Sequence, residues 1–159
     1  MSKVRDELRR WLGQIEVSGR VLDVGGLACP MRNQVKDEGI TEYRILDKKE
    51  ERKEVRTNYV YDLNEVITLN RTFDVIFCTE TMQFVYDPVV TLMNIKNLLE
   101  KNGLLYITFH LTHPKMKGTD YLRYTREGVI RLLEETGFEI EYIKEPVDGY
   151  YLVKAICQR

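Results

Sequence analysis

The sequence of 159 residues has few of the features that stabilise cross-linked or metal-dependent folds. Its three cysteines, Cys29, Cys78 and Cys157, are odd in number and far apart, with no Cys-x-x-Cys pair and no Cys/His cluster. This pattern predicts reduced thiols in a cytoplasmic protein and no metal site. A chain of this length buries roughly 70% of its extended-chain surface, so its core needs neither disulfides nor a structural metal.

Long apolar runs and an excess of one charge are also missing. No stretch approaches the roughly 20 apolar residues of a membrane span, and the first residues lack the apolar core of a secretory signal. We therefore expect neither membrane association nor export. Lys plus Arg number 24 and Asp plus Glu number 25, so nucleic acid is an unsupported partner. The dense charge run at 47–56 mixes both signs and predicts a solvated loop or helix end rather than a binding patch.

Repeats, low-complexity tracts and flexible linkers are absent as well, so residues 1–159 are predicted to form a single domain. Apolar residues at helical spacing predict a first helix that ends near Ser18 and Gly19. These residues are Val4, Leu8, Trp11, Leu12 and Ile15. Further helices are predicted from Asp87 and Pro88 to Asn102 and Gly103, and from Thr125 to Gly137.

Short apolar runs between these helices and turns predict the strands. Five strands are predicted at 20–24, 43–46, 59–61, 73–78 and 104–109. Two more, at 138–143 and 150–157, are joined by a short loop at 146–149 and should pair as an antiparallel hairpin. Together they predict an α/β fold, a doubly wound seven-stranded, mostly parallel sheet with one antiparallel strand near the C-terminus. The aromatic and apolar composition of segment 150–153 is explained either by a homodimer contact or by burial in the core.

In such sheets ligands bind beyond the carboxyl ends of the strands. Gly25 and Gly26 follow the first strand and would let a ligand approach the backbone closely. The second strand ends on Asp47, 24 residues after Asp23, which suits a carboxylate that accepts both hydroxyl hydrogens of a ribose. Each feature has a structural alternative, namely a tight turn or a loop aspartate.

The third strand ends on Asp62 and Leu63, which could accept from an adenine amino group and pack on its ring. The alternative for Asp62 is a cap for the turn at Asn64. The joint occurrence of acids and a glycine turn at successive strand ends favours a nucleoside-containing ligand. The glycines do not form the G-x-G-x-x-G dinucleotide fingerprint or a P-loop, so a nicotinamide-dependent enzyme is a weak alternative.

These motifs resemble the class I S-adenosylmethionine-dependent methyltransferases of the small-molecule type, over nearly the whole chain. Residues 21–26 (VLDVGG) resemble the first family motif, 73–88 the fourth and 98–105 the fifth, and 121–128 resembles a recurrent late segment. The resemblance implies a Rossmann-like fold and S-adenosylmethionine as the cofactor. The residues it implies for cofactor binding are Asp23, Gly25, Gly26, Asp47, Asp62, Leu63, Thr79 and Glu80.

Two departures from the family pattern leave a second function open. The glycine turn usually reads D-x-G-x-G-x-G, and here Leu27 and Cys29 replace the second and third glycines. A histidine that many relatives carry near Gln83 is missing too. The alternative to a methyltransferase is therefore a non-catalytic member of the family that acts as a binding or partner subunit.

The loop after the fifth strand carries the candidates for acceptor chemistry. His110 and His113 are the only histidines, and either could take a proton from an oxygen or nitrogen nucleophile. Tyr121, Arg123 and Tyr124 are candidate substrate contacts, with seating of the next helix as the alternative. No Asn-Pro-Pro-Tyr or Asp-Pro-Pro-Tyr follows the fourth strand and no Pro-Cys nucleophile is present, so a small molecule or a carrier-attached group is the predicted acceptor.

Overall fold

The computed structural model describes residues 3–145 and 149–158. Its three α-helices are α1 (Lys3–Leu12), α2 (Pro88–Leu98) and α3 (Arg126–Glu135). The strands are β1 (Glu16–Val24), β2 (Lys36–Asp47), β3 (Glu51–Arg52), β4 (Val55–Arg56), β5 (Tyr59–Val60), β6 (Phe73–Cys78), β7 (Leu99–His110), β8 (Phe138–Lys144) and β9 (Tyr150–Cys157). Positions 146–148 of the predicted hairpin loop lie outside the described residues.

Seven strands form one sheet in the order β5-β2-β1-β6-β7-β9-β8, and β3 pairs with β4 in a separate hairpin. The first five strands in this order (β5, β2, β1, β6 and β7) run parallel to one another, whereas β9 runs antiparallel to both β7 and β8. The predicted sheet with one antiparallel strand near the C-terminus is confirmed. The charge run at 47–56 is largely exposed and contains the β3–β4 hairpin, where the sequence predicted a solvated loop or helix end.

Helices cover both faces of the sheet, which makes the fold doubly wound. On one face, Leu8, Trp11 and Leu12 of α1 pack on a cluster that includes Phe77 and Tyr106. On the other face, α2 and α3 bury their apolar sides against the second and larger core cluster. Central strands are therefore covered on both sides, which accounts for the nearly continuous apolar run of β6.

Two helices end earlier than the sequence predicts. The structure ends α1 at Leu12, where the Gly13 backbone N–H closes the last turn on the Arg9 carbonyl at 2.9 Å, and β1 already begins at Glu16. Similarly, α2 ends at Leu98 because Leu99 adopts an extended conformation and starts β7. Ile15 and Leu99 are buried in the sheet layers, so their apolar character does not mark a helix.

The first crossovers of the sheet contain no α-helix within the described residues. Between β1 and β2 the chain makes only a 3₁₀ turn at Gly26–Ala28 and further turns. The segment at 26–35 that links these two strands is correspondingly short. Among the helices described, none has the length and apolar character needed to cross a membrane.

The dimer alternative for residues 150–153 is wrong. Tyr150, Tyr151, Leu152 and Val153 are all at most 4% exposed. They lie in β9, which is an interior strand bonded to β7 on one side and β8 on the other. The segment pairs with β7 along its whole length and with β8 at Leu152 and Val153, so burial in the core explains its composition.

The start of α2 depends on a side-chain cap. Asp87 is the N-cap residue, and its Oδ1 accepts the Val90 backbone N–H at 3.1 Å ahead of Pro88 at the first helical position. We expect Asp87→Ala to lower the free energy of unfolding by about 1 kcal/mol, because the backbone donor loses its partner. Urea unfolding measures this, with Asp87→Asn as the control that keeps an acceptor. Equal losses in both variants would contradict the capping role.

Candidate functional site

The glycine turn after β1 requires glycine at its first position. Gly25 has φ 74°, and its N–H donates to the Leu46 carbonyl at 2.8 Å, which ties the end of β1 to β2. A Cβ atom on Gly25 would overlap the Thr81 side chain, which belongs to the segment after β6. The backbone of three neighbouring strand ends is therefore packed closely at this point.

Asp23 lies beneath this turn and supports it. The side chain is buried, and its Oδ2 accepts from the Tyr43 hydroxyl and from the Met31 N–H, the latter at 2.8 Å. Burial raises the pKa of Asp23 to about 6, although both hydrogen bonds act against this rise. Its Oδ1 has no hydrogen-bond partner among the described residues. Gly26 lies against the carboxyl group so closely that a Cβ atom there would overlap it.

The two departures from the family's glycine pattern leave the turn unstrained. Leu27 adopts a negative φ and is 3% exposed, so its side chain packs into the protein without a left-handed backbone. Cys29 is exposed, and the Gln34 amide lies 3.4 Å from its sulfur. A side chain is thus accommodated at both positions.

The two predicted ligand acids lie on adjacent strands. Asp47 pairs with Val60 where β2 meets β5, and Asp62 follows two residues later. The Asp47 Oδ1 accepts the Lys49 N–H at 3.3 Å, and the Asp47 charge contributes to the raised pKa of Asp23. Both acids are half-buried, and their Oδ2 atoms have no hydrogen-bond partner among the described residues. Each retains an oxygen that can accept from a ligand.

The capping alternative for Asp62 is also observed. Its Oδ1 accepts the Asn64 backbone N–H and side-chain amide, both at 2.9 Å. The next residue, Leu63, is partly buried against the core, and its carbonyl accepts the Thr91 hydroxyl at 2.9 Å. The segment that would flank an adenine is therefore held rigidly against α2.

The segment after β6 carries an unusual backbone conformation. Glu80 has φ 51°, a left-handed conformation that is uncommon for a side-chain-bearing residue and is concentrated at functional sites. Its N–H donates to the Thr108 hydroxyl of β7 at 2.8 Å. The preceding Thr79 is 7% exposed, with its hydroxyl 3.4 Å from the Met31 sulfur. Thr79 thus contacts the segment that follows the glycine turn.

The two histidines lie together at the end of β7. The ring centroids of His110 and His113 are 5.0 Å apart, and the His110 ring is 5.1 Å from that of Tyr150. His110 is 1% exposed and its Nδ1 has no hydrogen-bond partner among the described residues. Burial, followed by the charges of His113 and Arg123, lowers the pKa of His110 to about 4 against an opposing effect of Asp120. His110 is therefore neutral at pH 7.

The three candidate substrate contacts lie in different environments. Tyr121 is 50% exposed and forms an edge-to-face pair with Tyr86, with 5.6 Å between ring centroids. Arg123 is bonded through both terminal nitrogens to Asp120, whose pKa is held below its usual range by that pairing. Tyr124 is buried against Phe109, and its hydroxyl donates to the Met82 carbonyl at 3.2 Å.

A family model for a methyltransferase domain matches residues 2–143. The chain belongs to this methyltransferase domain family. No curated protein matches it in a sequence search. The fold and the membership of a methyltransferase family, both predicted from the motifs, are confirmed.

Solved methyltransferase structures share the fold at low sequence identity. An S-adenosylmethionine-dependent methyltransferase from Mesorhizobium loti is 15% identical, with a TM-score of 0.72 and 98% of each chain covered. A complex of the Haloferax volcanii Trm112 activator with a putative methyltransferase shows 14% sequence identity and a TM-score of 0.75. The match covers 97% of this chain and 89% of that chain. The Burkholderia thailandensis 1,6-didemethyltoxoflavin-N1-methyltransferase was solved with 1,6-didemethyltoxoflavin and S-adenosylhomocysteine bound. It shows 17% sequence identity and a TM-score of 0.70, and the match covers 98% of this chain and 77% of that chain.

The acceptor groups of this site fit S-adenosylmethionine chemically. A ribose offers two hydroxyl donors and an adenine offers an amino donor, whereas Asp47 and Asp62 each present a carboxylate oxygen that no described residue engages. The turn at Gly25 and Gly26 provides the close backbone approach. These features lie at the carboxyl ends of β1, β2 and β5, where ligands bind in open parallel sheets.

The sequence patterns did not identify four residues of the methyltransferase site. Tyr43 and Met31 hold Asp23, Asp120 orders Arg123, and Gln83 carries a buried side-chain oxygen. Gln83 lies within the fourth family motif, so its place in the chain was a signal. The other three act through side chains or backbone groups of distant or neighbouring residues, and no spacing rule identifies such contacts.

Proposed function

We propose that the methyltransferase transfers a methyl group from S-adenosylmethionine to an oxygen or nitrogen nucleophile on a small molecule or a carrier-attached group. One observation carries the cofactor half of this proposal. Asp47 and Asp62 lie at adjacent strand ends beside the glycine turn, each with a carboxylate oxygen unengaged by the described residues. Asp47 binds the ribose hydroxyls, and Asp62 with Leu63 binds the adenine.

The remaining cofactor contacts lie around the glycine turn. Gly25 and Gly26 bring the backbone close to the methionine part, with Asp23 as their support from below. Thr79 and Glu80 close the site from the end of β6. When bound, S-adenosylmethionine supplies an electrophilic methyl group on a positively charged sulfur, which keeps the electron pair of the broken carbon–sulfur bond.

The acceptor side is formed by the end of β7 and the loop that follows. His110 is neutral at pH 7 and buried, so in the tautomer with its hydrogen on Nε2 its Nδ1 can take the proton that the acceptor O–H or N–H loses as its lone pair bonds to the methyl carbon. His113 lies against His110 and is the weaker candidate, because its Nδ1 lies 2.7 Å from the Pro114 carbonyl. Tyr121 and Arg123 flank this side.

A small-molecule acceptor is supported by two observations. The toxoflavin-precursor methyltransferase named above acts on a small heterocycle. The segment after β6 also lacks the Asn-Pro-Pro-Tyr sequence that amino-methylation of nucleic-acid bases uses. The non-catalytic alternative loses its main support, because Leu27 occupies the glycine turn without strain. The three free thiols support a reducing, cytoplasmic location.

Loss of the ribose contact tests the cofactor site. We expect Asp47→Ala to weaken S-adenosylmethionine and S-adenosylhomocysteine binding about 30-fold, which corresponds to about 2 kcal/mol for charge-assisted hydrogen bonds. Isothermal titration calorimetry measures the affinity. The melting temperature should stay near that of the unchanged protein, because among the described residues the Asp47 side chain bonds only the Lys49 N–H.

Glu38→Ala is the matched control, since it removes the same charge from an exposed position near the opposite end of β2. It should leave both affinities unchanged. Equal binding by Asp47→Ala and the unchanged protein would show that the ribose assignment is wrong. Absence of binding by the unchanged protein would overturn the proposed function itself.

A further inference from the structure

Two buried polar atoms near the carboxyl ends of β6 and β7 have no partner among the described residues. They are Oε1 of Gln83 and Nδ1 of His110, in residues that are 3% and 1% exposed. A third such atom, Oδ1 of Asp23, belongs to the support of the glycine turn. Buried polar atoms are nearly always hydrogen-bonded, so each exception requires a reason.

The orientation of the Gln83 amide is set by its neighbour. Its Nε2 donates to the Glu80 carbonyl at 3.0 Å. Rotating the amide would place its oxygen against that carbonyl, with two acceptors in contact. Glu80 is in turn held by the Thr108 hydroxyl, which bonds its N–H at 2.8 Å. The unpartnered Oε1 is therefore an acceptor in a rigid position, and it requires an N–H or O–H donor.

One loop holds both unpartnered groups. The Tyr121 N–H donates to the Gln83 carbonyl, and the Tyr124 N–H donates to the His110 carbonyl, each at 2.8 Å. Between them, Arg123 bonds the Asp120 carboxylate with two nitrogens and the His113 carbonyl with one at 3.1 Å. The segment 120–124 thus bridges the carboxyl ends of the neighbouring strands β6 and β7, where Gln83 and His110 lie.

We propose that the methyl acceptor is a molecule with two polar hydrogens, one directed at Nδ1 of His110 and the other donated to Oε1 of Gln83. This inference rests on the proposed function. His110 faces the hydrogen on the atom that is methylated, and Gln83 recognises a second O–H or N–H and so determines which acceptors bind. Vicinal dihydroxyarenes and heterocyclic ureides with two ring N–H groups are two chemical classes that carry such a pair of donors.

The test compares two pairs of probes on the protein saturated with S-adenosylhomocysteine. Catechol is paired with 1,2-dimethoxybenzene, and pteridine-2,4-dione with its 1,3-dimethyl derivative. Saturation-transfer NMR titrations measure the four affinities. We expect at least one parent compound to bind at least about tenfold more tightly than its dimethyl partner, because methylation leaves Oε1 and Nδ1 unpaired. This comparison needs no variant.

Variants then assign the effect to Gln83. Gln83→Leu should remove most of the preference for the parent compound while S-adenosylhomocysteine binds as before. Gln14→Leu, the same change at an exposed glutamine, should leave the preference intact. Equal binding within both pairs, no binding by any of the four probes, or a preference that survives in Gln83→Leu would overturn the inference. Failure of S-adenosylhomocysteine itself to bind would instead overturn the proposed function.

Discussion

Replacing Gly26 with alanine is expected to lower the free energy of unfolding by about 3 kcal/mol, near the upper end of overpacking costs. The added Cβ would overlap three atoms of the Asp23 carboxyl group. That carboxyl group cannot move aside without losing the Tyr43 hydroxyl and the Met31 N–H. Chemical denaturation of the protein without cofactor measures the loss.

Gly128→Ala is the matched control for this substitution. Gly128 lies in α3, and a Cβ there meets only the Thr125 hydroxyl, at 3.2 Å, among the described residues. Since alanine favours helices, this variant should be at least as stable as the unchanged protein. Gly26→Ala should also cost much less in an Asp23→Ser background, because the shorter side chain leaves room for the methyl group. An equal loss in both backgrounds would show that the carboxyl group is not the obstacle.

The second large effect concerns the pH dependence of stability. Burial raises the pKa of Asp23 from 3.8 to about 6, so the folded protein holds a proton that the unfolded chain has released between these values. The Asp23 contribution to the free energy of unfolding therefore falls as the pH rises through this range, by about 3 kcal/mol. An asparagine side chain at this position does not titrate. The stability of Asp23→Asn minus that of the unchanged protein should therefore rise by about 2 kcal/mol between pH 4 and pH 7, because the unfolded chain has already released part of its proton at pH 4.

His110 acts in the opposite direction over nearly the same range. Its pKa falls from 6.5 to about 4 in the folded protein, so its contribution to stability rises with pH. In the unchanged protein the two groups largely offset each other. His110→Asn is the mirror control, since it should make stability fall with pH. Urea unfolding at pH 4, 5, 6 and 7 measures the stability of all three proteins. A stability difference between Asp23→Asn and the unchanged protein that does not vary with pH would contradict the raised pKa of Asp23.

Element boundaries show where local sequence signals end. The caps Asp87 and Thr125 were predicted and are observed, because a capping side chain bonds backbone two or three residues away. The sequence predicted that α1 and α2 extend further along the chain than they do. Ile15 and Leu99 are apolar because they are buried between the sheet and the helices, and neither belongs to a helix. The spacing of apolar residues does not show whether a buried residue belongs to a helix or to a strand.

The role of Asp23 shows the same division within the site. Its place after an apolar strand and before two glycines indicates a functional carboxylate. Whether it faces a ligand or supports the turn depends on Tyr43, which lies 20 residues away on a neighbouring strand. Likewise, nothing local to Gln83 shows that its amide nitrogen is engaged by Glu80 while its oxygen is left without a partner among the described residues.

The sequence by itself determined the family, the seven strands with their antiparallel member, and the acids that end successive strands. These follow from short runs of apolar residues, turn glycines and caps, which act over a few residues of chain. Only the tertiary structure decided that Asp23 is buried, that residues 150–153 lie in an interior strand, and that the loop at 120–124 bonds to both Gln83 and His110. Such features depend on contacts between distant segments, because burial and hydrogen bonding are set by the neighbours that folding brings together.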